Sequence, residues 1–236
     1  QGRGIDPATG ELSTATLTRR RQQRILVVED NTFNQMVATH LLAHLGYTHD
    51  VVSSGAEALL RVANTTYDAI LMDYQMPEMD GVETTQRILA DSELNRNTPI
   101  LGLTAAASGA DAERCLAAGM SEVLKKPVPM HRLEEALERY LGGETPAPQP
   151  QAPTPAPEPD DLENVRDTLA LMAGGDAAEL HELTAVLVDS LRRSDVALAG
   201  ALQAGTRPQI RLHAHTIKGT AATAGLLSSS TLRTSS

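Results

Sequence analysis

The chain has 236 residues, 41% of them hydrophobic and 21% charged, which is room for one large or two small globular domains of ordinary composition. Its formal net charge of −10 repels nucleic-acid phosphates, and the short basic group Arg19, Arg20, Arg21 and Arg24 does not offset that sign, so direct nucleic-acid binding is disfavoured. No apolar run reaches the roughly 18 residues of a membrane span, no signal peptide opens the chain, and the single cysteine, Cys115, can close no internal disulfide, which suits a reducing, cytoplasmic setting.

Residues 1–23 show no sustained periodicity and read as a leader or linker, with the arginine group as its solvated end. The chain opens on Gln1 instead of Met, so the expectation is a piece of a longer protein. Ile25-Leu26-Val27-Val28 is the first strong signal, a short β-branched run apolar on both faces, as a buried parallel strand requires. Similar runs recur at Asp50-Val51-Val52, Ala69-Ile70-Leu71-Met72, Ile100-Leu101-Gly102-Leu103 and Glu122-Val123-Leu124. Helix-length segments separate them, carrying apolar residues three and four apart, as at Val37, Leu41, Leu42 and Leu45 or at Leu133, Leu137 and Leu141. Strands alternating with helices over residues 24–141 predict an α/β domain with a doubly wound, five-stranded parallel sheet. Aromatics are only 2% of the chain and Trp is absent, so Leu, Val, Ile, Ala and Met must fill its core.

Composition then changes. Residues 142–160 are rich in Pro and Ala and favour extended polyproline conformations, a semi-stiff linker. Residues 161–236 carry only helical periodicity: Leu162 to Met172, then Leu180 to Leu202 after a possible cap at Asp176, then Ile210 onward. Short Gly-containing turns join them, which predicts a smaller all-α antiparallel bundle.

In an open parallel sheet the chemistry gathers beyond the carboxyl ends of the strands. Glu29 and Asp30 end the first strand, Asp73 the third and Thr104 the fourth, and Lys126 follows the fifth. Three crowded carboxylates are stable only with a compensating cation, and oxygen donors with a free coordination edge suit Mg²⁺. Thr104 offers a hydroxyl and Lys126 a point charge to phosphoryl oxygens.

These residues sit within longer motifs: Val27-Val28-Glu29-Asp30-Asn31, Met72-Asp73-Tyr74-Gln75-Met76-Pro77, Asp80-Gly81, Thr104-Ala105 and Lys126-Pro127. The segment resembles the flavodoxin-like receiver domain of two-component signalling proteins. The resemblance implies that Asp73 is the phosphorylated nucleophile, that Asp30, Asp73 and the backbone carbonyl of Gln75 hold Mg²⁺, and that Glu29 acts through a metal-bound water. It implies further that Thr104 and Lys126 contact the phosphoryl group; Lys126 is preferred to Lys125 because it directly precedes proline. One departure is Val123, which stands where receivers usually carry an aromatic switch residue.

Residues 213–225, His-Ala-His-Thr-Ile-Lys-Gly-Thr-Ala-Ala-Thr-Ala-Gly, resemble the histidine phosphotransfer motif. By that resemblance His215 is a phosphocarrier, with Lys218 one turn on to stabilise a phosphoimidazole and Gly219 clearing a docking surface. Such bundles have four helices, and the Ser/Thr-rich stretch after Gly225 is a poor helix, so the unit is expected to be incomplete.

The simpler readings are kept alongside. Asp80 before Gly81 reads as a helix start, His213 as structural or exposed, and His40 with His44 as a solvated pair lacking the Glu of a zinc protease motif. Cys115 reads as a partly buried hydrophobe. The expected role is phosphorelay: Asp73 takes a phosphoryl group from a sensor kinase's phosphohistidine domain and exchanges it with His215 or another carrier, with a response-regulator receiver downstream. A receiver that only gates a partner is the alternative. An aspartate-nucleophile hydrolase is discounted, because such enzymes place an acid two residues after the nucleophile and here Gln75 stands there. No phosphate-cradling glycine loop is present, so ATP-dependent autophosphorylation would belong to a parent hybrid histidine kinase.

Overall fold

The computed structural model of the chain describes residues 14–104, 109–142 and 177–223. The Pro/Ala-rich stretch beyond Gly142, the helix expected through Leu162 and Met172, Asp176, and the stretch after Thr223 lie outside the described residues.

The elements in chain order are α1 (Thr14–Gln22), β1 (Arg24–Val28), α2 (Thr32–His44), β2 (Thr48–Val52), α3 (Gly55–Asn64), β3 (Ala69–Asp73), α4 (Gly81–Asp91), β4 (Ile100–Thr104), α5 (Gly109–Ala117), β5 (Glu122–Lys125), α6 (Met130–Leu141), α7 (Ala177–Ala204) and α8 (Arg207–Thr223). The five strands form one parallel sheet in the order β2-β1-β3-β4-β5. That order is the doubly wound arrangement, in which the chain starts centrally and winds outward in both directions.

Strand periodicity builds the two faces. Leu26, Val28, Ile70, Met72 and Ile100 point to the side covered by α3, α4 and α5, where Ala58, Ile88 and Cys115 pack. Ile25, Val27, Leu71, Leu101 and Leu103 point to the other, covered by α2 and α6 through Leu41, Leu42, Leu133 and Leu137. Each such side chain contributes roughly 1.5–3 kcal/mol by leaving water. Cys115 is wholly buried, deeper than the sequence suggests.

Side chains start the helices where the sheet's upper edge requires. Asn31 accepts hydrogen bonds from the backbone N–H groups of Phe33 and Asn34, Ser54 from Glu57, and Asp80 from Glu83. Asp80 is therefore a helix cap, as read.

The basic group before β1 departs from the reading of a solvated end. Arg20 is only 1% exposed. Its guanidinium donates to Glu138 and Glu134 of α6 at 2.8 and 2.7 Å and to the Leu45 carbonyl at 3.0 Å, and it lies over the Tyr47 ring. Arg19 also reaches Glu138, and Gln23 donates to the carbonyl of Leu141. α1 carries no amphipathic stripe; these ionic contacts hold it to the sheet domain. No described helix is long and apolar enough to cross a membrane.

Candidate active site

The parallel register delivers the expected residues to one edge. β1 ends just before Glu29 and Asp30, Asp73 is the last residue of β3 and Thr104 the last of β4, and Lys126 directly follows β5. Ligand oxygens of Glu29, Asp30 and Asp73 lie within 4.8 Å of one another. Glu29, Asp73, Thr104 and Lys126 are buried, and Asp30 alone of the three acids is half-exposed. The cleft thus opens on the Asp30 side.

Lys126 is the counter-charge. Its Nζ lies 2.5 Å from Glu29 Oε2 and 2.9 Å from Asp73 Oδ1. Its backbone N–H donates to the carbonyl of Thr104 at 2.7 Å, which ties the loop after β5 to the end of β4. Lys125 pairs with Thr104 in the β4–β5 register and ends the strand, so Lys126 and not Lys125 meets the acids.

Electrostatics follow from burial. Loss of water raises the Glu29 carboxyl to about 7, with the Asp73 charge adding to the effect and Lys126 opposing it. Burial, then the charge of Glu29, raises Asp30 to about 6. Asp73 is also raised, by burial, against the pull of Lys126 and a hydrogen bond from the Gln75 backbone. Burial works against the Lys126 ammonium, but the flanking Asp73 and Glu29 carboxylates outweigh it and hold the proton more tightly than usual. Three carboxylates face one ammonium, so the cleft keeps a surplus of negative charge. An all-oxygen donor set with one open side fits a hard divalent cation such as Mg²⁺.

The backbone shapes the rest of the cleft. A Cβ at Gly81 would sit 2.1 Å from the carbonyl oxygen of Asp73, so glycine there lets α4 start against the end of β3. The Gly81 N–H donates to the Tyr74 carbonyl at 3.0 Å. Glu78, between them, has φ of 65°, a left-handed conformation uncommon for a residue with a side chain.

Two contributors escape a reading by strand ends. Asn34, in the first turn of α2, donates to Glu29 Oε1 at 2.8 Å and fixes that carboxylate; its signal is a polar residue on an otherwise apolar helix face. Tyr74, next to Asp73, donates its hydroxyl proton to Asp111 at 2.9 Å and accepts from Arg114 at 2.8 Å, linking the loop to α5. Val123 is buried within β5, opposite Gly102.

Of the second candidate site, His213, His215, Lys218 and Gly219 all fall within α8. The side chains of His215 and Lys218 lie outside what is described. His213 is half-buried and lines a cavity with Asp30. His40 is half-buried and His44 exposed.

A parallel five-stranded sheet with this acidic edge defines a receiver. Residues 25–138 match the response regulator receiver domain family, and this segment of the chain is a receiver domain of two-component systems. Its relatives include a probable histidine kinase 1 of Oryza sativa subsp. indica, 36% identical over 148 residues, which takes in 50% of this chain and 15% of that protein. Hybrid signal transduction histidine kinase B of Dictyostelium discoideum is 41% identical over 128 residues, 50% of this chain and 6% of that one. The chain therefore spans a small part of these curated relatives. Among solved structures, the receiver domain of a sensor histidine kinase from Pseudomonas aeruginosa PAO1, crystallised with a magnesium ion in its active-site cleft, is 43% identical, covers 51% of this chain and 98% of its own, and gives a TM-score of 0.49.

Proposed function

We propose that the chain is a phosphorelay element in which Asp73 accepts a phosphoryl group from a phosphohistidine and passes it to a histidine carrier, His215 or one on another protein. The observation that carries this reading is the pairing of a buried Asp73 with Lys126 at 2.9 Å in a cleft that already holds Glu29 and Asp30. A buried carboxylate with a fixed ammonium beside it and an open side toward solvent is arranged to attack, not to support the fold.

Asp30, Asp73 and the Gln75 carbonyl would hold Mg²⁺, with Glu29 acting through a bound water. That ion supplies charge neutralisation for the phosphoryl oxygens. The chain's own groups do the rest. A carboxylate oxygen of Asp73 forms the new bond to phosphorus as the bond from phosphorus to the donor imidazole nitrogen breaks, and the electron pair stays on that nitrogen. Lys126 remains protonated throughout and places its charge against the phosphoryl oxygens, leaving its ion pair with Asp73 as that carboxylate becomes an acyl phosphate, a mixed anhydride. Thr104, at the end of β4, offers its hydroxyl to a second oxygen. Asn34 keeps Glu29 oriented.

Incubation with phosphoramidate and Mg²⁺ tests the reading. Wild type should acquire an acid-stable, base-labile label that Asp73→Asn abolishes, and His215→Gln should keep this label while losing any that follows on histidine. An unlabelled wild type overturns the proposal. A label at Asp73 that never appears on histidine, with partner binding indifferent to His215→Gln, favours the gate.

A further inference from the structure

The receiver's acidic edge has a neighbour in its own chain. Asn31, which caps α2 through its side-chain carbonyl, has one amide group left over, and its Nδ2 donates to Ser190 Oγ of α7 at 2.7 Å in a buried contact. Ser190 and Ser194, one turn apart, are 5% and 9% exposed, while Val196 on the same helix is 71% exposed. α7 thus turns a stripe of small polar residues toward the receiver and leaves a large apolar side chain in water. A helix packing on a hydrophobic core would do the reverse.

The contact lies across the approach to Asp73. A cavity of about 210 Å³ is walled by Asp30 and Pro77 of the receiver, Arg193 and Ser194 of α7, and His213 and Thr216 of α8. A wider cleft of about 750 Å³ sets Glu78 and Asp80 opposite Arg207. On the receiver wall Asp30, Glu78 and Asp80 are acidic, and the one base, Arg114, donates to the Tyr74 hydroxyl. The helical wall carries Arg193, which also pairs with Asp189 of its own helix, together with Arg207 and His213. In a chain of net charge −10, an excess of acids on the receiver wall faces two arginines on the helical wall, so the two surfaces are complementary on balance.

From this geometry we infer that α7 and α8 form a cis cap, docked on the N-terminus of α2 and the β3–α4 loop, which any protein bringing a phosphohistidine to Asp73 must displace. The competition rests on the phosphoryl-accepting role proposed above; the docking itself does not. Asp73 is 4% exposed at the end of β3, and the loops that follow β1 and β3, which border it, carry the cap. Among the described residues the seam is thin, held by one buried hydrogen bond and flanked by two open cavities. A small phosphoryl donor passes it and a folded protein does not. Covalent continuity keeps the cap at high local concentration, so a thin seam suffices for occupancy.

The test uses the full chain. Asn31→Cys with Ser190→Cys should form an intramolecular disulfide under mild oxidation, because those two side chains touch; Cys115 is buried and does not compete. The oxidised form should take phosphoryl groups from a histidine-phosphorylated helical carrier protein about fivefold or more slowly than the same protein after reduction. Uptake from phosphoramidate should match in the two forms within about twofold. Ser190→Glu, which sets a carboxylate against the acidic rim, should accelerate uptake from the carrier and increase hydrogen exchange in residues 75–80 of the otherwise folded chain. Failure of the cysteines to join, or equal carrier rates in oxidised and reduced protein, overturns the cap. If phosphoramidate labels no form, the reading of Asp73 falls instead, and the disulfide and exchange results still decide the docking.

Discussion

Asp30 shows how one side chain is set against the fold that holds it. Its carboxyl is raised from 3.8 to about 6, by burial first and by Glu29 second. A group whose folded value lies above its unfolded one favours the folded state at low pH, and that contribution is lost as pH rises toward about 6. In EDTA at pH 8, Asp30→Asn should therefore be more stable to urea than wild type by roughly 1–3 kcal/mol, with the difference vanishing near pH 4. Asn34 works in the opposite sense. Removing it in Asn34→Ala strips Glu29 Oε1 of its partner in a buried site, and urea midpoints should report a loss of about 1–3 kcal/mol. The acids, Thr104 and Lys126 were legible in the sequence because they follow apolar strand runs, and topology alone gathers strand ends. Asn34 was not, since its role depends on which way the first turn of α2 faces.

Elements gain their positions from contacts of two kinds. The strands and α2 to α6 are placed by apolar periodicity, which is why the alternation of Ile25 with Leu26, or of Ile70 with Leu71, could be read directly into two sheet faces. α1 is placed by charge. Nothing in its pattern distinguishes a buried arginine from a solvated one, because the partners Glu134 and Glu138 lie more than a hundred residues away in sequence. Arg20→Ala should cost about 2–3 kcal/mol in equilibrium unfolding, less than a fully buried pair because both glutamates keep some contact with water. Glu138 supplies the pH signature. Burial pushes its carboxyl up, but the hydrogen bonds from Arg19 and Arg20 outweigh it and leave the group below its ordinary value of 4.5. A lowered acid stabilises the fold above its unfolded value and ceases to do so as pH falls through the folded one. Wild type should accordingly lose its stability advantage over Glu138→Gln below about pH 4.5, read by thermal midpoints.

The molecule as a whole joins a compact receiver to a helical pair on its acidic rim. The helical periodicity of Leu180 to Leu202 and from Ile210 onward was legible in the sequence, but the seat of α7 and α8 on the receiver was not: a hydrogen bond between Asn31 and Ser190 leaves no periodic trace in either segment. Mg²⁺ should act on the receiver specifically. A ligand present at about a hundred times its dissociation constant stabilises the state that binds it by about 2.7 kcal/mol, so magnesium should raise the receiver's melting transition and EDTA reverse the shift.

The stitching of Gln23 to Leu141 and of Arg20 to Glu138 has a consequence for how such a domain can be wired. Both strands of polypeptide leave the sheet domain through one knot, at the pole opposite the acids. A pull or twist on either thread should therefore fall first on those contacts and only afterwards on the reacting edge, as a socket takes the strain of a cable.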